Sequence, residues 1–373
     1  MSQENKKLKE TVFADAGQYF AALLQDIDEA KTQIDLETYI FDLDPLGKNF
    51  AEHLAEASRR GVSVRLLLDG AGSLTTSGIL NQQLSSADVQ VRIYHPLPWH
   101  IDQLEWVPHL PWLTKLQRLL EGMQSRNHRK ICMIDRRVIW VGSFNVSQSH
   151  LPKEQGGQNW RDTAVRIEVL EIEYLRQAFN SAWNNDRSLI SRKMVPPANI
   201  RLNHIRRRKL RRDLLKRMAE SHSRIWIANA YFVPITSIVR SLKKAARRGV
   251  DVRILLPKNS DVFFIPWASA MYYQVLLKAG VKIYEYSNGM LHEKIMILDD
   301  WITVGTSNMD YLSFFRNLEA DVVIMLSENK KILEDQFLND LNQAVQLTSD
   351  IYQQRPWWKK IMGRLFFYIR RWL

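Results

Sequence analysis

The chain has a single cysteine, Cys132, set in an apolar run, so no intramolecular disulfide can form and a reducing compartment fits. No uninterrupted apolar stretch reaches the roughly 18 residues of a transmembrane helix, so none is expected. Residues 1–7 hold no apolar core, and a secretory signal is not expected there. Acid is in short supply: 40 Asp+Glu face 52 Lys+Arg, a formal charge of +12. That excess favours a polyanionic partner, either nucleic acid or an anionic membrane surface, without choosing between them. What the chain has in plenty is tryptophan. Its 12 Trp, several beside basic residues, tilt the choice towards a bilayer interface. At 373 residues it can bury one large core or two ordinary ones.

One short pattern occurs twice. The first copy runs His128, Lys130, Asp135, then Gly142-Ser143-Phe144-Asn145; the second runs His292, Lys294, Asp299, then Gly305-Thr306-Ser307-Asn308. The repeat extends upstream. Ala57-Ser58-Arg59-Arg60-Gly61-Val62 matches Ala245-Ala246-Arg247-Arg248-Gly249-Val250, each reading as a helix end, a glycine stop and a buried strand. Segments 33–41 and 224–232 are strand-like, and Val91-Arg92-Ile93-Tyr94 matches Val281-Lys282-Ile283-Tyr284. Strand and helix alternate before each motif. This predicts an α/β fold of two pseudo-symmetric lobes, each a mixed sheet flanked by helices, with the site at their interface. The expected division is 1–200 and 201–355, with a joint near Pro196-Pro197 and a separate tail at 356–373. The first half also carries an insertion between Tyr94 and His128, rich in Trp and Pro, with a helix expected over 113–123. It reads as a lid, a substrate ramp, or a cover without ligand contact. Its histidines, His95, His100 and His109, are spaced too irregularly for a metal site, so no metal and no cofactor is assigned.

Each motif reads as a strand, on which His and Lys two apart project to the same face. His128, Lys130, Asp135, His292, Lys294 and Asp299 form the candidate catalytic set. Within it Asp135 and Asp299 fall on the other parity at a hairpin turn, where bracing the turn is the expected role. Gly142 lets the chain turn tightly, so that Asn145 returns to the His–Lys face, and Asn308 does the same in the second copy. With Ser143 and Ser307, the asparagines are the candidate phosphate ligands. Lysine supplies charge, asparagine an amide donor, and histidine can attack phosphorus or move a proton. A phosphodiester has a poor leaving group, so the departing alkoxide needs a proton. Two facing motifs supply both a neutral nucleophile and a protonated acid.

The paired His-x-Lys-x4-Asp strings resemble the phospholipase D superfamily over nearly the whole chain, and in closer detail the bacterial cardiolipin synthases. The residues that carry the resemblance include Leu36-Glu37-Thr38-Tyr39-Ile40-Phe41, Leu68-Asp69-Gly70, Trp160-Arg161-Asp162-Thr163 and Ala230-Tyr231-Phe232-Val233-Pro234. The most diagnostic is Gly305-Thr306-Ser307-Asn308-Met309-Asp310, followed by Ser313-Phe314 and Asn317-Leu318-Glu319. The resemblance implies a metal-free phosphohistidine route, with His128 as nucleophile and His292 as acid and then base. The reverse assignment stays open, because the motifs are near-equivalent. It also implies that Asp162 and Glu319 orient the imidazoles, fix their tautomers and raise their pKa; a surface pair of Asp162 with Arg161 or Arg166 is the alternative. The implied activity is condensation of two phosphatidylglycerol molecules to cardiolipin and glycerol. Hydrolysis to phosphatidic acid, or a nuclease or phosphodiesterase using the same site, is the alternative.

The last 18 residues favour lipid. At helical spacing one face of 356–373 gathers Trp358, Ile361, Leu365, Phe366 and Trp372, beside Trp357, while Lys359, Lys360, Arg364, Arg370 and Arg371 make the other. Such a helix is expected to lie in an anionic membrane interface; docking on a neighbouring lobe or subunit is the alternative. A second basic run, 201–217, suits phospholipid headgroups, nucleic-acid phosphates or plain solvent. The expected partner is therefore an anionic phospholipid membrane, on the cytoplasmic side and peripherally attached, with no nucleic acid.

Overall fold

Local signals set the helix boundaries. In the first half, β1 (Lys9–Phe13) leads into α1 (Ala16–Glu29), β2 (Gln33–Thr38), α2 (Pro45–Arg59), β3 (Ser63–Asp69), α3 (Ser77–Ser85) and β4 (Gln90–Tyr94). The chain continues with β5 (Ile131–Ile134), β6 (Val138–Gly142), β7 (Ala164–Glu168) and α4 (Glu173–Trp183). Helix α2 starts with Asp44 accepting the Gly47 N–H at 2.9 Å and with Pro45 in the first turn, where its missing N–H costs nothing. Just past its end, Gly61 takes φ 90°, the left-handed stop that only glycine adopts without strain.

The second half repeats the plan with β8 (Ile200–Leu202), α5 (Arg207–Glu220), β9 (Arg224–Asn229), α6 (Thr236–Arg247), β10 (Asp251–Pro257), α7 (Ile265–Leu277) and β11 (Lys282–Tyr286). It ends with β12 (Lys294–Leu298), β13 (Trp301–Gly305), α8 (Tyr311–Phe315), β14 (Ala320–Val323), α9 (Ser327–Asn342) and β15 (Ala344–Leu347). Gly249 stops α6 at φ 91°, the counterpart of Gly61. This computed structural model describes residues 9–97, 103, 125–168, 172–191, 196–203, 206–348 and 350.

Both sheets are mixed, as the alternation of elements predicts. The first has the order β1-β7-β6-β5-β2-β3-β4 and the second β15-β11-β10-β9-β12-β13-β14-β8. In each, three strands run parallel (β2-β3-β4 and β9-β10-β11) and the motif hairpin joins them antiparallel, through β5 on β2 and β12 on β9. The expected division at 200/201 falls inside β8, whose Ile200 pairs with Val322. A central core joins the two sheets, with Ile131, Met133, Ile139 and Val141 from the first and Ile295, Ile297, Ile302 and Val304 from the second. Outer cores pack α1 and α2 on one side and α6 and α7 on the other. The central core also takes in α4 through Ala178 and Phe179 and α9 through Leu333 and Phe337, and the site lies where the two motif hairpins meet.

The expected lid and its helix over 113–123 lie outside the described residues, as does the expected membrane tail 356–373 with Trp357, Trp358, Lys359, Lys360, Arg364, Phe366, Arg370, Arg371 and Trp372. From the insertion, Gln103 is fully buried and donates from Nε2 to the Gly70 carbonyl at 2.9 Å. Of the basic run 201–217, residues 201–202 lie in β8 and 207–217 in α5, and Arg201 pairs with Asp213 at 2.7 Å. No helix among the described residues is long and apolar enough to cross a membrane.

Candidate active site

The first motif begins before its strand. Asn127 bridges to Leu318 of the second half, and the His128 N–H donates to the Leu318 carbonyl at 3.0 Å, so regular pairing on β2 begins only at Ile131. The second motif mirrors it: the His292 N–H donates to the Arg161 carbonyl at 2.8 Å. Each histidine is thus pinned to the opposite half by its own backbone. Both are buried, at 7% and 3% exposure.

The side chains are crossed as well. His128 Nδ1 donates to Glu319 Oε2 at 3.0 Å, and His292 Nδ1 donates to Asp162 Oδ1 at 2.8 Å. Each carboxylate comes from the half that does not carry its histidine. This geometry fixes the Nδ1–H tautomer and frees each Nε2 for chemistry. Asp162 is 1% exposed and makes no pair with its neighbours; Arg161 goes to Asp340 and Arg166 to Asp26. The surface-pair alternative for Asp162 is therefore excluded.

The electrostatics differ from the expectation in one respect. The carboxylates do favour the imidazolium forms, but burial outweighs them. Burial pushes His292 down to about 4, with Lys294 adding to the effect and Asp162 opposing it. Burial and then the Lys130 charge also lower His128, against Glu319. Lys130 falls to about 7 through burial and the Lys294 charge, and Lys294 falls to about 8 through burial. Burial and mutual repulsion thus disfavour the charged forms of all four groups. An anionic phosphodiester placed among them raises all four pKa values.

The lysine ammonium groups are anchored to their own motifs. Lys130 Nζ donates to the His128 carbonyl at 3.0 Å, and Lys294 Nζ to the His292 carbonyl. Asn145 accepts the Ile40 N–H on Oδ1 at 3.3 Å, which leaves its amide N–H pair for a ligand. Asn308 Oδ1 is buried without a hydrogen bond among the described residues. Tyr39 sits edge-on to His128 at 5.1 Å, and Trp160 lies 5.3 Å from His292. Their rings keep the imidazoles away from water.

Three expectations need correction. Asp135 and Asp299, counted with the catalytic set, stand at the far ends of β5 and β12 from the histidines. Asp135 accepts the N–H groups of Lys31, Thr32 and Gln33 at 2.8, 2.7 and 3.1 Å. Asp299 does the same for His222, Ser223 and Arg224 at 2.9, 3.0 and 2.8 Å. They tie the hairpin to the start of the neighbouring strand, at φ 50° and 51°. Ser143 and Ser307, expected to bind phosphate, instead have their hydroxyls engaged within the protein. Ser143 Oγ accepts the Thr163 N–H at 3.1 Å, and Ser307 Oγ donates to Asp321 at 2.6 Å. Finally, Gly142 is needed for close approach and not for a turn. A Cβ there would lie 2.4 Å from Ala164 Cβ, and one on Gly305 would lie 2.4 Å from the Ala320 carbonyl.

Two contributors escaped the sequence reading. Thr306 Oγ1 donates to Glu319 Oε2 at 2.5 Å, and His150 Nδ1 donates to Asp162 Oδ2 at 2.7 Å. Thr306 is the true counterpart of Ser143 in the aligned turns, a signal the spacing already held. His150 stands five residues after Asn145, as Ser313 stands five after Asn308. Unlike side chains at matching positions hid that equivalence.

Known proteins are similar to this chain in sequence and in fold. The family described as "Cardiolipin synthase, PLD-like domain" matches residues 23–183 and 214–341. A cardiolipin synthase of Geobacillus sp. (strain WCH70) is 33% identical over 360 residues, 92% of this chain and 68% of that protein. Cardiolipin synthase B of Salmonella typhi is 32% identical over 370 residues, 95% of this chain and 86% of that one. In fold, the crystal structure of phosphatidylserine synthase from Haemophilus influenzae Rd KW20 superposes with a TM-score of 0.70 at 12% identity, covering 98% of this chain and 95% of that one. With two motif halves, crossed carboxylates and matches of this extent, the chain belongs to the cardiolipin synthase family of phospholipase D-like phosphatidyltransferases.

Proposed function

We propose that the chain condenses two phosphatidylglycerol molecules into cardiolipin and glycerol by two displacements at phosphorus. The observation that carries this is the pair of buried imidazoles, each with Nδ1 held by a carboxylate from the opposite half. His128 Nε2 attacks the phosphodiester while His292 donates its Nε2 proton to the departing glycerol oxygen. A phosphatidyl group remains on His128. The hydroxyl of the second phosphatidylglycerol then gives its proton to His292 and attacks that phosphorus, releasing His128. Lys130, Lys294, Asn145 and Asn308 hold the non-bridging oxygens and offset the charge of the pentacoordinate state. His128 and His292, with those four, form the proposed site; Asp162 and Glu319 orient the imidazoles.

The substrate is a lipid, so the site must work at a bilayer. The basic and aromatic residues of 356–373 support peripheral attachment to an anionic membrane, on the cytoplasmic side, at about 1 kcal/mol per basic residue near the surface. The test is mass-spectrometric product analysis after incubation with phosphatidylglycerol vesicles. Cardiolipin with glycerol supports transfer. Phosphatidic acid alone replaces it with hydrolysis, and no lipid product sends the search to nucleic-acid substrates. Deleting 356–373 should remove turnover on vesicles.

A further inference from the structure

The two halves close their sites with equivalent hydrogen-bond chains built from different side chains. In one, the Asn308 N–H donates to Ser313 Oγ at 3.2 Å, Ser313 donates to Glu319 Oε1 at 2.7 Å, and Glu319 Oε2 accepts His128 Nδ1–H at 3.0 Å. In the other, the Asn145 N–H donates to His150 Nε2 at 3.1 Å, His150 Nδ1 donates to Asp162 Oδ2 at 2.7 Å, and Asp162 Oδ1 accepts His292 Nδ1–H at 2.8 Å. Each chain runs from a phosphate-binding asparagine of one motif to the histidine of the other. The lengths compensate: a short hydroxyl meets the longer glutamate, and a long imidazole meets the shorter aspartate.

His150 differs from Ser313 in what it can be. Its Nε2 accepts a backbone N–H that cannot turn away, so that nitrogen carries no proton and Nδ1 must. It is 2% exposed and packs between Phe144 at 5.3 Å and Trp160 at 5.4 Å, with Phe20 at 6.5 Å. The ionisable groups it faces are Asp162 and His292, whose ring centroid lies 6.1 Å away. Asp162 has these two imidazoles as its hydrogen-bond donors, whereas Glu319 has His128, Thr306 and Ser313. Removing His150 therefore strips one of two donors from a buried carboxylate.

We infer that His150 is a positioning residue: held as the neutral Nδ1–H tautomer by the Asn145 amide, it sets the orientation and proton affinity of Asp162 and, through it, of His292. This rests on the two-histidine mechanism proposed above and adds a third imidazole that never touches substrate. A carboxylate with fewer donors keeps more charge for its remaining partner, so His292 becomes the stronger base when His150 is lost. The other charges that face His292 are Lys294 and Asp261, and both stay in place.

The test compares His150→Ala and His150→Gln with the parent enzyme in rate–pH profiles on phosphatidylglycerol vesicles. A glutamine amide keeps one donor and one acceptor at about the spacing of the imidazole nitrogens. The Ala variant should lose on the order of tenfold in kcat, a fraction of the 10²–10⁴ of general acid–base catalysis. Its alkaline limb should move to higher pH, because His292 is the proton donor, and Gln should restore both. A uniform loss with neither limb displaced would overturn the inference and leave His150 as filler. Displacement of the acid limb instead keeps the link to His292 and makes His292 the nucleophile. A second measurement needs neither turnover nor a variant. Nitrogen-15 spectra of the histidine-labelled full chain, assigned for His150, should show the ring proton on Nδ1 and none on Nε2. A proton on Nε2 would sink the inference even in an active enzyme. A parent protein that makes no cardiolipin, but shows that tautomer, would sink the proposed function alone.

Discussion

The first and second halves share a fold, a motif and a set of backbone contacts, yet they differ at buried charged positions beside the motif. Between the motif His and Lys, the first half places Arg129 and the second Glu293, both fully buried. Arg129 forms an ion pair with Glu37 at 3.1 Å. Glu293 accepts from Thr163 and Gln336, and burial, aided by Asp340, lifts its carboxyl to about 8. One half balances its buried charge with a countercharge; in the other, burial favours the protonated carboxyl. Duplication supplied two equal scaffolds, and a reaction that needs one nucleophile and one acid gives no reason for them to stay equal.

The sharpest way to break the comparison is at the histidines. His128→Ala and His292→Ala should each remove turnover, by more than the ~10²–10⁴ of acid–base catalysis alone, because one of them also forms the covalent bond. Lipid product analysis reads this directly, and near-normal activity in either variant contradicts two unlike histidine roles. Rapid quenching of the parent protein with labelled phosphatidylglycerol should trap label on His128, and His292→Ala, which has no proton for the departing glycerol, should trap far less. Next in size are the crossed carboxylates. Asp162→Asn and Glu319→Gln should each cost roughly 10²–10⁴ in kcat with the fold retained, as for a triad carboxylate that fixes a tautomer. A Glu319 variant that altered the titration of His292 and spared that of His128 would mean that the crossing is wrong.

How much of this could be read from the sequence depended on whether the signal was local. The glycine stops at Gly61 and Gly249, the apolar strands β3 and β10, and the His-x-Lys spacing are local, and all appear as expected. The pairing of Asp162 with His292 and Glu319 with His128 is not local, because it depends on how two sheets face each other. Ser143 and Ser307 misled for another reason. A serine beside a phosphate-binding asparagine looks like a ligand, but here the turn packs so closely on β7 and β14 that the hydroxyls bind Thr163 and Asp321. The direction of the histidine shifts was missed because a carboxylate partner is visible in a motif and full burial is not.

Arg129 and Glu293 sharpen the comparison through stability. Arg129→Met leaves Glu37 buried with its charge, and removal of one partner from a buried pair costs about 3–5 kcal/mol. Asn127, which donates to Glu37 at 2.8 Å, holds the cost towards the lower end. Glu293→Gln should behave in the opposite way. Above pH ~4.5 the unfolded chain has released this proton while the folded protein keeps it up to about 8, so the parent loses stability as pH rises through that window. Glutamine has no proton to release. Its stability relative to the parent should therefore climb from pH 5 to 8 in urea titrations, and a flat difference would mean that Glu293 is ionised in the fold.

The smallest effects belong to the motif aspartates, where the two halves should respond alike. Asp135 and Asp299 both occupy left-handed backbone, which asparagine tolerates as well as aspartate, so Asp→Asn removes charge without adding strain. Both carboxyls are held below the usual aspartate range. Burial works against this, and the backbone N–H donors at the start of β2 and β9 outweigh it. A depressed pKa adds stability above the unfolded value of about 4 and loses it on acidification through the folded value. Asp135 is largely solvated, so the loss at neutral pH should be modest, about 1 kcal/mol for each variant by denaturant unfolding. Turnover per folded molecule should not change. A drop in kcat for Asp135→Asn without one for Asp299→Asn would give the first aspartate a part in the chemistry that its distance from His128 denies it.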